Sequence, residues 1–330
     1  MLPFVDLLPL PWRALAYIAC FLAGLALLER GADWFTDAAA ALAARLRAPQ
    51  IVVGLLTAGG EWEELVVVLV AVLGGHGGIA LGDIIGSTIA NILGSFPLGL
   101  FGQKPLRLER ETRWYGLALL AVTLLAAALL ARGPITAPLG GALIGVFIAY
   151  LIVIVLLIRR GLAQPLPDED DEADEREEMQ RRPLLAQVAF VVLGLVLVSL
   201  GAWLVVEPAV YAARALGLSE TVIGLTIVAI GTTLPDKAIS LMGGLKQQGG
   251  LVAANAVGSN IFLLTLVLGL AAFAGPLAAS GKTLSFDVPA MLASAALLCL
   301  LLFRRQLHWR IGLFLLLLYA GYLAAQFALA

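Results

Sequence analysis

Apolar stretches long enough to cross a bilayer follow one another through this chain, with a single long interruption. A membrane's hydrocarbon core needs about 20 apolar residues per helix. Runs of that kind cover residues 13–46, 49–74, 79–101, 112–131, 134–158, 184–215, 219–245, 250–274, 284–303 and 308–328. They are continuous rather than alternating, so helices and not barrel strands are the spanning element. Of the 330 residues, 61% are apolar and 13% charged, whereas soluble domains hold about 45–50% and about 25%. A soluble enzyme and a disordered chain are therefore excluded. With 21 basic residues against 23 acidic ones and no basic stripe, nucleic acid is excluded as a partner.

The interruption is residues 168–178, DEDDEADEREE, nine acids in eleven positions. Such a segment can neither enter a bilayer nor build a core. It divides the chain into a first five-helix repeat (1–158), an acidic loop (159–183) and a second five-helix repeat (184–330). With the N-terminus outside, fifteen Lys and Arg fall in the loops of one face and four in those of the other. This places both termini outside and the acidic loop in the cytoplasm. Shifted by 172 positions, the first half meets the second: Gly59 with Gly231, Gly77-Gly78 with Gly249-Gly250, Gly86-Ser87 with Gly258-Ser259, Ile89 with Ile261. Five is odd, so the second copy must sit upside down. The expected fold is an all-α polytopic membrane protein of ten transmembrane helices in two inverted five-helix repeats. Transporters built this way hold their site at the midplane between repeats.

A charge at the bilayer centre costs about 2.5–3.5 kcal/mol on insertion scales, so charged residues within spans point to function. Span 2 carries Glu61, Glu63 and Glu64, span 3 Asp83 and Asn91, and span 7 Asp236 and Lys237. At helical spacing, Thr57, Glu61 and Glu64 share a face, as do Thr232, Thr233 and Asp236. Asp83, Ser87 and Asn91 form a second stripe. Asn255 and Ser259 begin its counterpart, which ends at Leu263. These stripes offer carboxylate, amide and hydroxyl oxygens, the donors hard cations prefer; no thiolate or imidazole lies among them. Pro235 frees the carbonyl of Gly231, and Gly59-Gly60 and Gly231 permit bends nearby.

The segments GLTIVAIGTTLPD (224–236) and NAVGSNIF (255–262) resemble the second alpha-repeat of the calcium/cation antiporter superfamily, which includes the sodium/calcium exchangers. GGEWEEL (59–65) with LGDIIGSTIAN (81–91) resembles a diverged first alpha-repeat, and GADWFTDAAAALAARL (31–46) the family's first span. The resemblance implies exchange of Ca2+ against Na+ or H+ by alternating access, with no cofactor; the partners are inorganic cations and the lipid bilayer. Carried over by position, the acidic ligands fall on Glu64 and Asp236, the hydroxyls on Thr232, Thr233, Ser87 and Ser259, and the amide on Asn91. Glu61 stands where a hydroxyl is expected and Asp83 lies beside the stripe; both complete the candidate metal-binding set. Leu263 lacks an oxygen, Glu63 replaces a proline, and Lys237 sets an ammonium beside Asp236. Ca2+ against Na+ is the leading reading. Ca2+ against H+, with Glu61 or Glu64 as proton carrier, remains open, as does an exchanger-like protein that no longer transports. An intramembrane aspartyl protease using Asp83 and Asp236 is disfavoured, since ALGD (80–83) lacks the first glycine of a glycine–x–glycine–aspartate motif, no partner tyrosine precedes Asp236, and its neighbour is Lys237.

The remaining features read more plainly. Cys20 and Cys299 lie in apolar runs and suit neither a disulfide nor a metal site. The first apolar helix lacks the pattern of a cleaved signal peptide and reads as retained, in the cell's inner membrane. Glu29, Arg30, Asp33 and Asp37 suggest an ion pair and helix-end cluster, and Glu207-Pro208 a break in span 6. Spans 1 and 6 are expected to rock against the rest.

Overall fold

The computed structural model describes residues 5, 9–46, 61–102, 104–109, 112–159 and 178–329. Eleven helical segments follow in order: α1 (Leu10–Arg45), α2 (Trp62–Leu73), α3 (Gly77–Leu100), α4 (Thr112–Arg132), α5 (Ala137–Arg159), α6 (Leu184–Leu216), α7 (Glu220–Thr232), α8 (Leu234–Leu245), α9 (Gly249–Ala274), α10 (Thr283–Leu302) and α11 (Trp309–Ala328). Eight of them are long and apolar enough to cross a membrane, and α7 with α8, bent by 48°, makes a ninth. Of the second expected span only the part from Glu61 is described. Thr57, Gly59, Gly60 and nearly all of the acidic loop lie outside the described residues.

The 172-residue shift reappears in the element boundaries. It carries the start and end of α2 onto those of α8 and the start of α3 onto that of α9. It also carries a π-helical turn at Asn91–Ser95 onto one at Leu263–Val267. Single π turns interrupt α-helices mostly at functional places. Of the four among the described residues, these two interrupt the helices that carry the second polar stripe of each half, and the others lie at Gly224–Val228 in α7 and Thr283–Asp287 in α10.

Local chemistry explains the helix ends. Gly217, at φ 66°, closes α6 in the left-handed conformation, a common helix stop because glycine adopts it without a Cβ clash. Ser219 then caps α7, its hydroxyl accepting the Val222 amide at 3.3 Å. Thr233 leaves helical geometry with ψ 14°. Pro235 has no N–H for the Gly231 carbonyl, and it is tolerated because it opens a new helix. By contrast, α6 runs unbroken through Glu207-Pro208, which corrects the expected break; neighbouring helices in a bundle can re-satisfy a carbonyl freed by proline.

α3 is wholly buried and α9 nearly so, whereas α1, α5, α6 and α11 expose much of their surface. Trp12, Leu22, Leu185, Leu317 and Phe327 are among the large apolar side chains that face outward, as lipid contact requires. The two longest helices, α1 and α6, pair antiparallel along glycines. A Cβ on Gly31 would lie 2.7 Å from the Val198 amide nitrogen, and one on Gly201 2.7 Å from that of Leu28. Real Cβ atoms do not approach so closely, so only glycine permits this seam, as at small-residue membrane interfaces generally. At about 1.5 Å per residue the 36 residues of α1 span roughly 54 Å, well beyond the bilayer core, so the helix tilts or projects. Strands β1 (Leu106–Arg107) and β2 (Gln306–Leu307) tie two loops together at one end of the bundle, and an Ile135–Leu277 bridge ties two more at the other.

Candidate functional site

The first turns of α2 and α8 carry the two acids expected to matter most. Glu64 and Asp236 are each the third residue of a helix that begins inside the bundle. There the unpaired N–H groups and the dipole favour negative charge. Glu64 and Asp83 are fully buried, and Asp236 and Glu61 almost so. Glu61 has Asp236, Glu64 and Glu63 as its charged neighbours.

The halves meet through α3 and α7. A Cβ on Gly82 would lie 2.4 Å from the Thr221 carbonyl oxygen, and one on Gly224 2.5 Å from that of Ile79. This crossing brings Asp83 against repeat two: Oδ1 accepts from Thr232 and from Ser87, each at 3.4 Å, and the two hydroxyls lie 3.4 Å apart. Asp83, Ser87 and Thr232 thus form one hydrogen-bonded group across the contact of α3 with α7. Asp236 has the Glu61 carboxyl of the first half beside it and amide and hydroxyl partners from its own half. Its Oδ1 accepts from Asn255 Nδ2 at 2.8 Å and from Ser259 Oγ at 3.3 Å.

Two expected members stand elsewhere. The Thr233 hydroxyl donates to the Ala229 carbonyl at 2.6 Å and accepts the Lys237 ammonium, so it does not share the Thr232 face. Neighbouring residues of a helix point about 100° apart, so Thr232 turns its hydroxyl to Asp83 while Thr233 turns back to Ala229. Asn91 accepts from Ser95 at 3.4 Å, two turns beyond Asp83, and its buried Nδ2 has no hydrogen-bond partner among the described residues. Asn255 was seen only as part of a stripe, yet it gives Asp236 its shortest hydrogen bond. Its position one repeat from Asp83 was the signal that could have singled it out.

Among the described residues, no three His, Cys, Asp or Glu side chains converge closely enough to hold a metal by themselves. Four carboxylate oxygens are nevertheless buried with no hydrogen-bond donor among those residues: both of Glu64, Oδ2 of Asp83 and Oδ2 of Asp236. Buried charge without a partner is costly, and a cation is the partner such oxygens would accept. Hydroxyls of Ser87, Thr232 and Ser259 lie alongside as neutral oxygen donors. The set suits a hard cation and offers nothing to a soft one.

Comparison with known proteins agrees with this chemistry. The model of the family described as Sodium/calcium exchanger protein matches residues 16–156 and 186–328. CaxA of Alkalimonas amylolytica is 34% identical over 311 residues, covering 91% of this chain and 95% of its own length. Inner membrane protein YrbG of Escherichia coli is 30% identical over 296 residues, covering 87% and 89%. A solved structure of the sodium-calcium exchanger NCX_Mj, soaked with Na+ and Sr2+, superposes with a TM-score of 0.61 at 26% identity, over 94% of this chain and 98% of that one.

Proposed function

The chain belongs to the sodium/calcium exchanger family, and from that premise we propose that it exchanges Ca2+ against Na+ at a site built on Glu64, Asp83 and Asp236. The observation that carries this reading is the set of four buried carboxylate oxygens without donors among the described residues, on Glu64, Asp83 and Asp236, with Glu64 near enough to feel the charge of the other two. Ca2+ takes six to eight oxygen ligands. Glu64 would supply two, Asp83 and Asp236 one each, and Ser87, Thr232 and Ser259 the neutral remainder. Asn91 and Glu61 would join as the shell tightens around the ion. Asn255 is a positioning residue: its bond to Oδ1 leaves Oδ2 of Asp236 free to face the ion.

The two halves form ten spans with inverted topology, both termini outside and the acidic loop in the cytoplasm. This arrangement sets the site at the midplane, and it follows from the 172-residue recurrence and the charge asymmetry of the loops. The glycine-seamed α1–α6 pair then rocks against the buried α3 and α9, exposing the acids to each side in turn. One observation favours exchange against H+ instead: carboxylates outnumber what one divalent ion needs, with Glu61 added to the three that bind.

Uptake of radioactive Ca2+ into proteoliposomes, with membrane potential clamped, tests both readings. Uptake driven by an outward Na+ gradient is expected. Uptake driven only by an outward H+ gradient would replace Na+ with protons as the counter-ion. No uptake under either gradient would overturn exchange of Ca2+ altogether.

A further inference from the structure

Lys237 is a cation held inside the bundle beside the acids. Its Nζ donates to the carbonyl oxygens of Ile230 at 3.2 Å and Thr233 at 3.1 Å, and to the Thr233 hydroxyl. These are oxygens of the break between α7 and α8, where Pro235 interrupts the backbone ladder. Carbonyls and a hydroxyl grouped at an unwound helix end are the ligands transporters use for Na+. Asp236, Glu64 and Glu61 are its charged neighbours. The duplication does not explain the residue, because one repeat back the same position is the buried Leu65. Repeat one instead adds acids: Glu61 where repeat two has Thr233, and Asp83 where it has Asn255. Negative charge gained in one half is thus met by a fixed positive charge in the other.

We propose that the Lys237 ammonium is a built-in monovalent cation, filling an oxygen cradle at the helix break that Na+ would otherwise enter, so that each cycle carries one Na+ fewer than the same site would without it. The inference rests on the exchange reading above. A tethered ammonium can satisfy the carbonyls and offset the acids in every state, but it can never leave with the transported ions. It would therefore lower the number of Na+ ions moved per Ca2+ while keeping the helix break intact.

Full-length wild type, K237M, K237Q and K237R would be compared in lipid nanodiscs by thermal unfolding. NaCl would be titrated against choline chloride at constant ionic strength. K237M and K237Q are expected to gain a saturable, Na+-dependent rise in Tm beyond that of wild type, and K237R to match wild type. In proteoliposomes the ratio of Na+ to Ca2+ fluxes should rise by one in the two neutral variants. A Tm lowered equally in both salts, with an unchanged Na+ response, would reduce Lys237 to a cap on the helix break and overturn the proposal. K237Q keeps hydrogen-bonding capacity at the side chain's end and serves if K237M does not fold. Should wild type move no Ca2+ at all, the exchange reading fails, and the Na+ titration of the neutral variants still decides what the ammonium replaces.

Discussion

Glu64 and Asp236 hold matching places in two helices that start within the bundle, but their surroundings differ. Asp236 has one oxygen satisfied by Asn255 and Ser259, whereas Glu64 has neither satisfied among the described residues. Glu64→Gln therefore removes charge where least compensates it. Ca2+ uptake by that variant should fall at least about tenfold, which corresponds to about 1.4 kcal/mol of binding; unchanged uptake would remove Glu64 from the site. Asn255→Leu strands the Asp236 carboxylate. A hydrogen bond to a charged group is worth about 1.5–3 kcal/mol, so Ca2+ affinity, read by isothermal titration, should drop about ten- to a hundredfold. Asn260→Leu is the control, because Asn260 donates to the carbonyl of Ala256 in its own helix, and its effect should be smaller. Helical spacing groups Glu64, Asp83, Ser87, Thr232, Asp236 and Ser259 on polar faces, and the structure buries all six. The spacing could not tell which face turned to which, because partner choice across helices is set by the α3–α7 crossing. Thr233 lies off the Thr232 direction because adjacent helical residues point about 100° apart, and its hydroxyl bonds the Ala229 carbonyl.

At the scale of elements the internal repeat is close, since the bounds of α2 and α8 and one pair of π turns recur at the same shift, while the π turn at Thr283–Asp287 has no counterpart in α4. Symmetry in the chain is nonetheless not symmetry in packing. Gly86 and Gly258 are equivalent by sequence, yet a Cβ on Gly86 would sit 2.7 Å from Leu225 backbone atoms while one on Gly258 meets nothing within 4 Å. Gly86→Ala should accordingly lose about 1–3 kcal/mol through overpacking and part α3 from α7. Gly258→Ala should stay within about 0.5 kcal/mol. Thermal unfolding of the two variants checks this, and equal melting points would mean that the crossing yields easily. Spans and their ends were legible because they follow from apolar length and from Gly and Pro punctuation. The π turns were not legible, for they are single-residue insertions in the hydrogen-bond ladder that leave hydrophobic periodicity almost untouched.

Over the whole molecule, two largely buried helices are wrapped by more exposed ones, and the buried Glu64 has Asp83 and Asp236 as charged neighbours. A ligand bound only by the folded state stabilises it by mass action, about 2.7 kcal/mol at a hundred times Kd. Ca2+ should therefore raise the melting temperature of the purified protein, and a chelator should reverse the rise, whereas Mg2+, which demands tighter octahedral geometry, should do so less. No Ca2+-dependent rise would argue for a protein that kept the fold without the ion. The membrane class and the division into halves could be read from composition and one acidic run. The seam between α1 and α6 could not, since glycines in a long apolar stretch show where a close approach is possible but not what approaches.

That seam bears on how well the membrane stays insulated. Two long helices locked backbone to backbone through Gly31 and Gly201 behave as one plank, with no intermediate in which one has swung and the other has not. A continuous water path from face to face would require the plank to split lengthwise. In the proposed exchange cycle the tight joint would act as a seal that keeps the protein from becoming a pore. Loosening it would show first as a short circuit, with ions running passively down their gradients while the acids that bind them remained intact.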